Sequence, residues 1–374
     1  MAKGDREAKK ANERSVLDYL QQRGLEDETR VRVRRNSAAT AAVGREALFS
    51  DQLKDALSEV FTERVIPKFK PGKSKGKTQR ILNVIFSDTH YGSDLDPREL
   101  GHKYGPVEEA RRTAAVCREV AQYKLHYRSE TELYVHILGD IIQGQLHDQR
   151  DGKPLAEQAS AAIRIFVNAI TYLAQAFPKG VTVLCTPGNH GRNSARHRER
   201  AVNQKWDSIE TIIYTAIKEA VRNISNVKVL VDYPAEYEFE SFDNVGYATH
   251  GDTHFNPGYP GKNVDAGGLK RQMDSKNNAR VLAGKKPYSL FIVGHVHVGT
   301  MLHLPGGAIA LTNGCLLPPD AYAKTIGIDT TSCGQWMWES VKGHIVGDAR
   351  FITVDFDTDK DDSLDGIIQP VLRL

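Results

Sequence analysis

The sequence predicts an α/β fold in which helices cover a layered sheet. Two observations carry this. From residue 81, short runs rich in β-branched residues alternate with longer stretches of helical periodicity, in β-α-β-α-β order. Five apolar runs are each followed at once by Asp, Asn or His, as strands are when their carboxyl ends form a ligand site. The 374 residues are enough for about two domains and for a core that needs no disulfides. A 40% hydrophobic and 26% charged composition excludes a disordered chain, a collagen-like chain and a disulfide-stapled miniprotein.

Residues 1–79 read as a basic helical N-terminal segment and linker. Ser15–Leu20 and Ser50–Val65 suggest short helices, with Arg30, Arg32, Arg34 and Arg35 clustered between them. Ile66–Arg80 holds Lys68, Lys70, Lys73, Lys75, Lys77 and Arg80 without an acidic residue, and Pro67, Pro71, Gly72 and Gly76 deny it regular structure. Gly76-Lys77-Thr78 imitates the end of a P-loop. Pro71 stands where its first glycine is needed, and a strand follows it where one must precede. The charged start of the chain has no apolar h-region, and the most apolar helical stretch, 161–177, contains Arg164, Asn168 and Gln175. A cytoplasmic protein with no membrane contact is therefore expected.

Residues 80–374 read as one domain. Ile81–Phe86 is the first predicted strand, Pro106–Tyr127 a helix, Leu133–Leu138 a strand, Ala156–Phe177 a helix, Val181–Leu184 a strand and Gln204–Arg222 a helix. Further strands are predicted at Val227–Val231, Tyr237–Phe242, Val245–Thr249, Leu290–Val293, Ala308–Thr312 and Phe351–Phe356, with a helix near Leu269–Leu282. Cys117, Cys185, Cys315 and Cys333 show no CxxC spacing and read as reduced thiols.

The strand ends carry the chemistry. Ile81–Phe86 runs into Asp88 and His90, Leu133–Leu138 into Asp140, and Val181–Leu184 through Pro187 into Asn189 and His190. Val245–Thr249 runs into His250, and Leu290–Val293 into His295 and His297. Imidazole, carboxylate and amide oxygen together suit Mn²⁺, Fe or Zn²⁺, and the set exceeds what one ion needs. Two ions sharing a carboxylate would use it, with Mn²⁺ the first expectation.

The ordered series Asp88-x-His90, Gly139-Asp140, Gly188-Asn189-His190, His250 and Gly294-His295-x-His297 resembles the calcineurin-like metallophosphoesterase superfamily. The resemblance spans 88–297 and is loosely similar to phage-type stand-alone members and DNA-repair nucleases. It implies a four-layer αββα sandwich of two packed sheets. It also implies that Asp88, His90 and His297 hold one metal and that Asn189, His250 and His295 hold the other. Asp140 would bridge them, and His190 would protonate or stabilise the leaving oxygen. Two cations would acidify a bridging water, giving a hydroxide that attacks phosphorus.

Two positions depart from the pattern. Gly191 stands where most members carry Asp or Glu, so either another carboxylate, Asp252 or Asp94, stands behind His190 or the ring is oriented less tightly. Gly139-Asp140-Ile141-Ile142-Gln143-Gly144 lacks the arginine of protein Ser/Thr phosphatases. After His190, Arg192, Arg196, Arg198 and Arg200 surround His197, and Arg192 and Arg196 are candidate substrate-binding residues. With the basic runs at 30–35 and 66–80, they favour nucleic acid as substrate over an average charge of only +3. A small-molecule phosphatase or cyclic-nucleotide phosphodiesterase is the alternative, and an inactive binding module the third. A homodimer is a further expectation from the resemblance. Phe255–Gly268 could cover the site or simply connect, His147 and His254 read as surface or supporting residues, and Trp336 and Trp338 as core or interface. The stretch Asp361–Leu372 lacks the glutamate of an EF-hand loop and reads as a solvated acidic tail.

Overall fold

The computed structural model describes residues 76–354, apart from 96, 101–103, 124, 146–151, 193–204, 206, 233–234, 254, 305, 320–322, 325–326 and 328–332. The chain divides into two compact units, Met1–Glu59 and Val60–Leu374, and every described residue belongs to the second. The N-terminal segment expected to be helical, His147, Arg196, His197, Arg198, Arg200, His254 and residues 355–374 lie outside the described residues.

Strands β1 (Arg80–Phe86), β2 (Thr131–Ile137), β3 (Val181–Cys185) and β4 (Val227–Leu230) alternate with helices α1 (Pro106–Gln122), α2 (Leu155–Ala176) and α3 (Ile209–Val221). All four strands pair in parallel, and β1 is buried over Ile81–Phe86. Burial on both faces explains why it reads as a continuous apolar run rather than an alternating one. Pro106 opens α1, where a missing N–H costs nothing. Ser208 caps α3 by accepting from Glu210 N, so the described helix starts at Ile209. The helix expected to reach Tyr127 stops at Gln122 and gives way to a 3₁₀ segment at Leu125–Glu130.

The second half supplies β5 (Glu236–Ser241), β6 (Asn244–Thr249), a small ribbon of β7 (Gly258–Tyr259) and β8 (Asn263–Val264), and helix α4 (Ala266–Leu282). Then come β9 (Leu290–Val293), β10 (Thr300–His303), β11 (Ile309–Thr312), β12 (Gly334–Val341) and β13 (His344–Thr353). The first sheet has the order β13-β12-β1-β2-β3-β4 and the second β10-β11-β9-β6-β5. Edge strand β5 alternates strictly, with Glu236, Glu238 and Glu240 exposed against Tyr237, Phe239 and Ser241 inside. Charge on an edge strand opposes pairing with a second chain.

The sheets pack face to face. Ile85, Leu138 and Leu184 meet Phe239, Leu290, Ile292 and Leu311 in one buried cluster that includes Trp338. On the far side of the second sheet, Leu269 and Met273 of α4 pack on Tyr247, Phe255 and Phe291. Helices α1 to α3 cover the first sheet, giving the four-layer αββα arrangement the sequence resemblance implied. Between the sheets lies a polar trio. His136 meets the Tyr237 hydroxyl through Nδ1 at 2.8 Å and Asn83 Oδ1 through Nε2 at 3.2 Å. Burial holds its imidazole down to about 3.

The sequence pattern misses β10 and β12, and places only the end of β13. In β12 the reason is chemical: Gln335, Glu339 and Ser340 are buried polar residues in a core strand. Glu339 pairs with Arg80 at 2.7 Å and Ser340 donates to Ile345 O at 2.6 Å, so their burial is satisfied although the pattern is not apolar. Trp338 is core, while half-buried Trp336 donates to Thr312 O and stands edge-on to Phe351. All four cysteines are buried and none is in a disulfide. No described helix is long and apolar enough to cross a membrane.

Candidate metal centre

The parallel strands of both sheets end at one place. Pairing of β1 with β2 continues past the strands, with Asp88 N donating to Gly139 O at 3.0 Å and His90 N to Asp140 O at 3.1 Å. Three groups of potential ligands result: Asp88 with His90 and His297; Asp140 with His250 and His295; and His90 with Asp140 and His190. Within each group the donor atoms lie within 4.8 Å of one another. Asn189 joins the second through Oδ1, 3.1 Å from His250 Nε2. All eight residues that the sequence singled out at strand ends therefore converge.

Their backbone is unusual. Asp88, His90, Asp140, His295 and His297 all have positive φ, between 49° and 72°. Only one other described non-glycine residue, Phe242 in the β5–β6 turn, does so. The left-handed region costs an L-residue about 1 kcal/mol or more, so five such residues at one point mark a site whose geometry is held against local preference. Glycines make the approach possible. A Cβ on Gly188 would lie 2.0 Å from Asp140 Oδ1, and Gly139, at φ 80°, would place one 2.2 Å from Gly188 N.

The donor set fits divalent ions. Asp88 Oδ1 is 3.2 Å from His297 Nε2, which is 3.3 Å from His90 Nε2, and Asp140 Oδ2 is 3.0 Å from His250 Nε2. Ligands on one ion with bonds of about 2.1 Å at right angles stand about 3 Å apart. Asp88 and Asp140 are buried, as are His90 and His250, while Asn189, His295 and His297 are half-buried and open the site to solvent. The His90 Nδ1 is buried without a hydrogen-bond partner.

Without a cation the groups hold each other. Burial pushes the Asp140 carboxyl up, and the imidazoles of His250 and His190 outweigh it and keep it well below the usual range. Burial lowers His250, yet Asp140 raises it to about 10. Burial brings His295 down to about 4 and, with His190 and His297, takes His90 well below its ordinary value.

Neighbouring groups fix the rings. His250 Nδ1–H donates to Leu138 O at 2.7 Å, which turns Nε2 towards Asp140 and Asn189. His190 Nδ1–H donates to Gln143 O at 2.7 Å, leaving Nε2 4.0 Å from Asp140 Oδ2. Neither Asp252 nor Asp94 is hydrogen-bonded to His190 Nδ1, contrary to the carboxylate expected there. Asp94 pairs with Lys153 and Asp252 with buried Lys205 at 2.7 Å, so a backbone carbonyl does the work.

Supporting residues escaped the sequence reading. Asp88 accepts from His295 N and from Ser87 Oγ, and Ser87 is held in turn by Asn313 and Gln335. Asn313 directly follows the apolar strand β11, so the strand-end rule applied once more would have found it. Glu210 had no such signal: it is fully buried and accepts from Ile141 N and Gly188 N. Burial first, then the Asp140 charge, raises it to about 7.

Of the candidate substrate residues, Arg192 is half-buried and pairs through its backbone with Ser208, while Arg196 lies outside the described residues. The segment after His250 is a docked ribbon rather than a bare connection. Phe255 is buried under it, and Gly261 N donates at 2.7 Å to Val296 O, between His295 and His297.

No family profile matches the chain, and no curated protein does. Solved structures do resemble it. One is a predicted phosphoesterase from Streptococcus pneumoniae TIGR4, 13% identical, covering 74% of this chain and 98% of that one at a TM-score of 0.28. A dimetal phosphatase from Danio rerio is 14% identical, covering 74% and 99% at 0.35. A metallophosphoesterase from Sphaerobacter thermophilus is 14% identical, covering 75% and 89% at 0.29. Overlaps of this size carry no chemistry from one chain to another, and the centre stands on its own residues.

Proposed function

We propose that this protein hydrolyses phosphoesters with two divalent metal ions, and that its substrate is a phosphodiester in nucleic acid. The observation that carries the first part is the convergence of Asp88, His90, Asp140, Asn189, His250, His295 and His297, five of them in left-handed backbone, around the shared carboxylate of Asp140. Asp88, His90 and His297 would hold one ion and Asn189, His250 and His295 the other. Mn²⁺ is the first candidate. Such ions supply Lewis acidity at the phosphate and at water.

The chain's own residues do the rest. Asp140 sets the distance between the two ligand groups. His190 directs Nε2 towards the ligand cluster, where a proton on it can pass to the leaving oxygen, and Gln143 O keeps the ring from turning. Arg192, two residues after His190, would bind a phosphate oxygen.

Nucleic acid is favoured by charge. The sequence concentrates basic residues at 30–35, 66–80 and 192–200. Exposed Lys262 sits on the ribbon that touches Val296, and exposed Lys270 and Arg271 follow in the first turns of α4. A polyanion reaching the centre would pass these cations.

The test compares bis(p-nitrophenyl) phosphate, p-nitrophenyl phosphate, linear duplex DNA and single-stranded DNA, each with Mn²⁺, for the wild type and Asp140→Ala. Mn²⁺-dependent cleavage of the diester and of DNA, abolished by the substitution, is the expected result. Turnover of the monoester alone would make the protein a small-molecule phosphatase, and no turnover of any ester would refute the hydrolase.

A further inference from the structure

We propose that Glu210 is a positioning residue of the metal centre: one buried carboxylate clamps the Asp140 loop to the Gly188–Asn189 loop and so sets the spacing of the ligands they carry. The inference rests on the phosphoester-hydrolase reading for its purpose and on the geometry for its existence.

Glu210 lies in the first turn of α3 and is fully buried. Its Oε1 accepts from Ile141 N at 2.7 Å and its Oε2 from Gly188 N at 2.6 Å. Each donor is the immediate neighbour of a ligand residue, Asp140 in one loop and Asn189 in the other. Two hydrogen bonds from separate backbones to the two oxygens of one rigid group fix a distance rather than a single position. The helix carrying the clamp is itself tied to the site. Ile209 N donates to Gly191 O at 2.8 Å, Arg192 pairs through its backbone with Ser208, and Ser208 Oγ accepts from Glu210 N.

Gly191 is the other half of the same arrangement. A Cβ there would lie 2.4 Å from Glu210 Cγ and 2.8 Å from Ser208 Oγ. Its backbone is not in the left-handed region, so the glycine is needed for room and not for conformation. The position after His190 lacks a side chain because a carboxylate from α3 fills that volume. Glu210 touches no substrate and reaches the reaction only through the loops it joins.

Three variants of the full chain test this: Glu210→Gln, Glu210→Ala, and Gly191→Asp combined with Glu210→Ala, which moves a carboxylate to the other side of the same space. Glutamine keeps the shape but turns an NH₂ towards one of the two backbone N–H groups. Mn²⁺ affinity is read by calorimetry, melting temperature on the metal-free chain, and kcat and KM separately on bis(p-nitrophenyl) phosphate. Glu210→Gln should weaken Mn²⁺ binding roughly 10- to 100-fold and lower kcat, with KM within threefold, while the metal-free chain stays folded and melts only about 2–6 °C lower. The double variant should regain affinity over Glu210→Ala. Wild-type Mn²⁺ affinity in a folded Glu210→Gln chain, or no recovery in the double variant, would overturn the clamp. Mn²⁺ binding that follows these expectations in a chain that cleaves no ester would refute the hydrolase and leave the clamp standing.

Discussion

Alanine at Gly188 adds one methyl group at the point where two ligand loops cross. That methyl would begin 2.0 Å from Asp140 Oδ1 and 2.3 Å from Asp140 N. Ordinary contact begins near 3.4 Å, so the loops must part by about 1.4 Å. The neighbour that has to yield is backbone and a buried carboxylate, not the end of a flexible side chain. Overpacking of this kind costs about 1–3 kcal/mol of stability, which a domain of this size survives. The site does not tolerate it equally well, because an error of about 1 Å in a reacting group costs roughly 100-fold in rate. Gly188→Ala should therefore remain folded and lose at least about 100-fold in Mn²⁺-dependent kcat on bis(p-nitrophenyl) phosphate. Gly347→Ala is the control, since its nearest neighbour would be at 3.6 Å. A Gly188→Ala chain within threefold of wild type would refute the reasoning that the approach of these two loops sets the centre.

His190→Ala should lower kcat by about 10²–10³-fold while leaving Mn²⁺ affinity within threefold, as steady-state kinetics and calorimetry would show; a tenfold loss of Mn²⁺ affinity would make it a ligand. Asp252→Asn strands the ammonium of Lys205, whose partner lies 2.7 Å away with both side chains under a tenth exposed, and should cost on the order of 3 kcal/mol in urea unfolding. His136, whose folded pKa is down at about 3 against about 6.5 unfolded, contributes stability that is complete above pH 6.5 and lost as pH falls towards 3. Urea unfolding of His136→Gln between pH 6.5 and 4 should show a slope shallower than wild type by up to one proton, about 1.4 kcal/mol per pH unit; equal slopes would contradict a neutral buried imidazole.

Much of the site was legible because chemistry and strand ends coincide in the sequence. Asp88, His90, Asp140, Asn189, His190, His250, His295 and His297 each follow a short apolar run, and a parallel strand buried on both faces leaves such a run. The support behind them was not legible. Glu210 is one glutamate in an ordinary amphipathic helix, and only the fold brings it under Gly188. Gly191 looked like a missing carboxylate, whereas its lack of a side chain makes room for one. His190 takes its orientation from Gln143 O, a backbone atom no residue pattern can announce. Strand β12 escaped for a related reason. Its Gln335, Glu339 and Ser340 are buried yet satisfied, and hydrogen-bond partners from distant segments do not appear in a hydrophobic pattern.

The proposed hydrolysis depends on two divalent ions sharing the Asp140 carboxylate. Anomalous diffraction from crystals grown with Mn²⁺ tests it most directly, measured at the manganese edge on wild type and on Asp140→Ala. Two peaks are expected in the wild type, one among Asp88, His90 and His297 and one among Asn189, His250 and His295, with Asp140 in contact with both, and loss of at least one peak in the variant. No peak at these residues, or a single ion out of reach of Asp140, would contradict it.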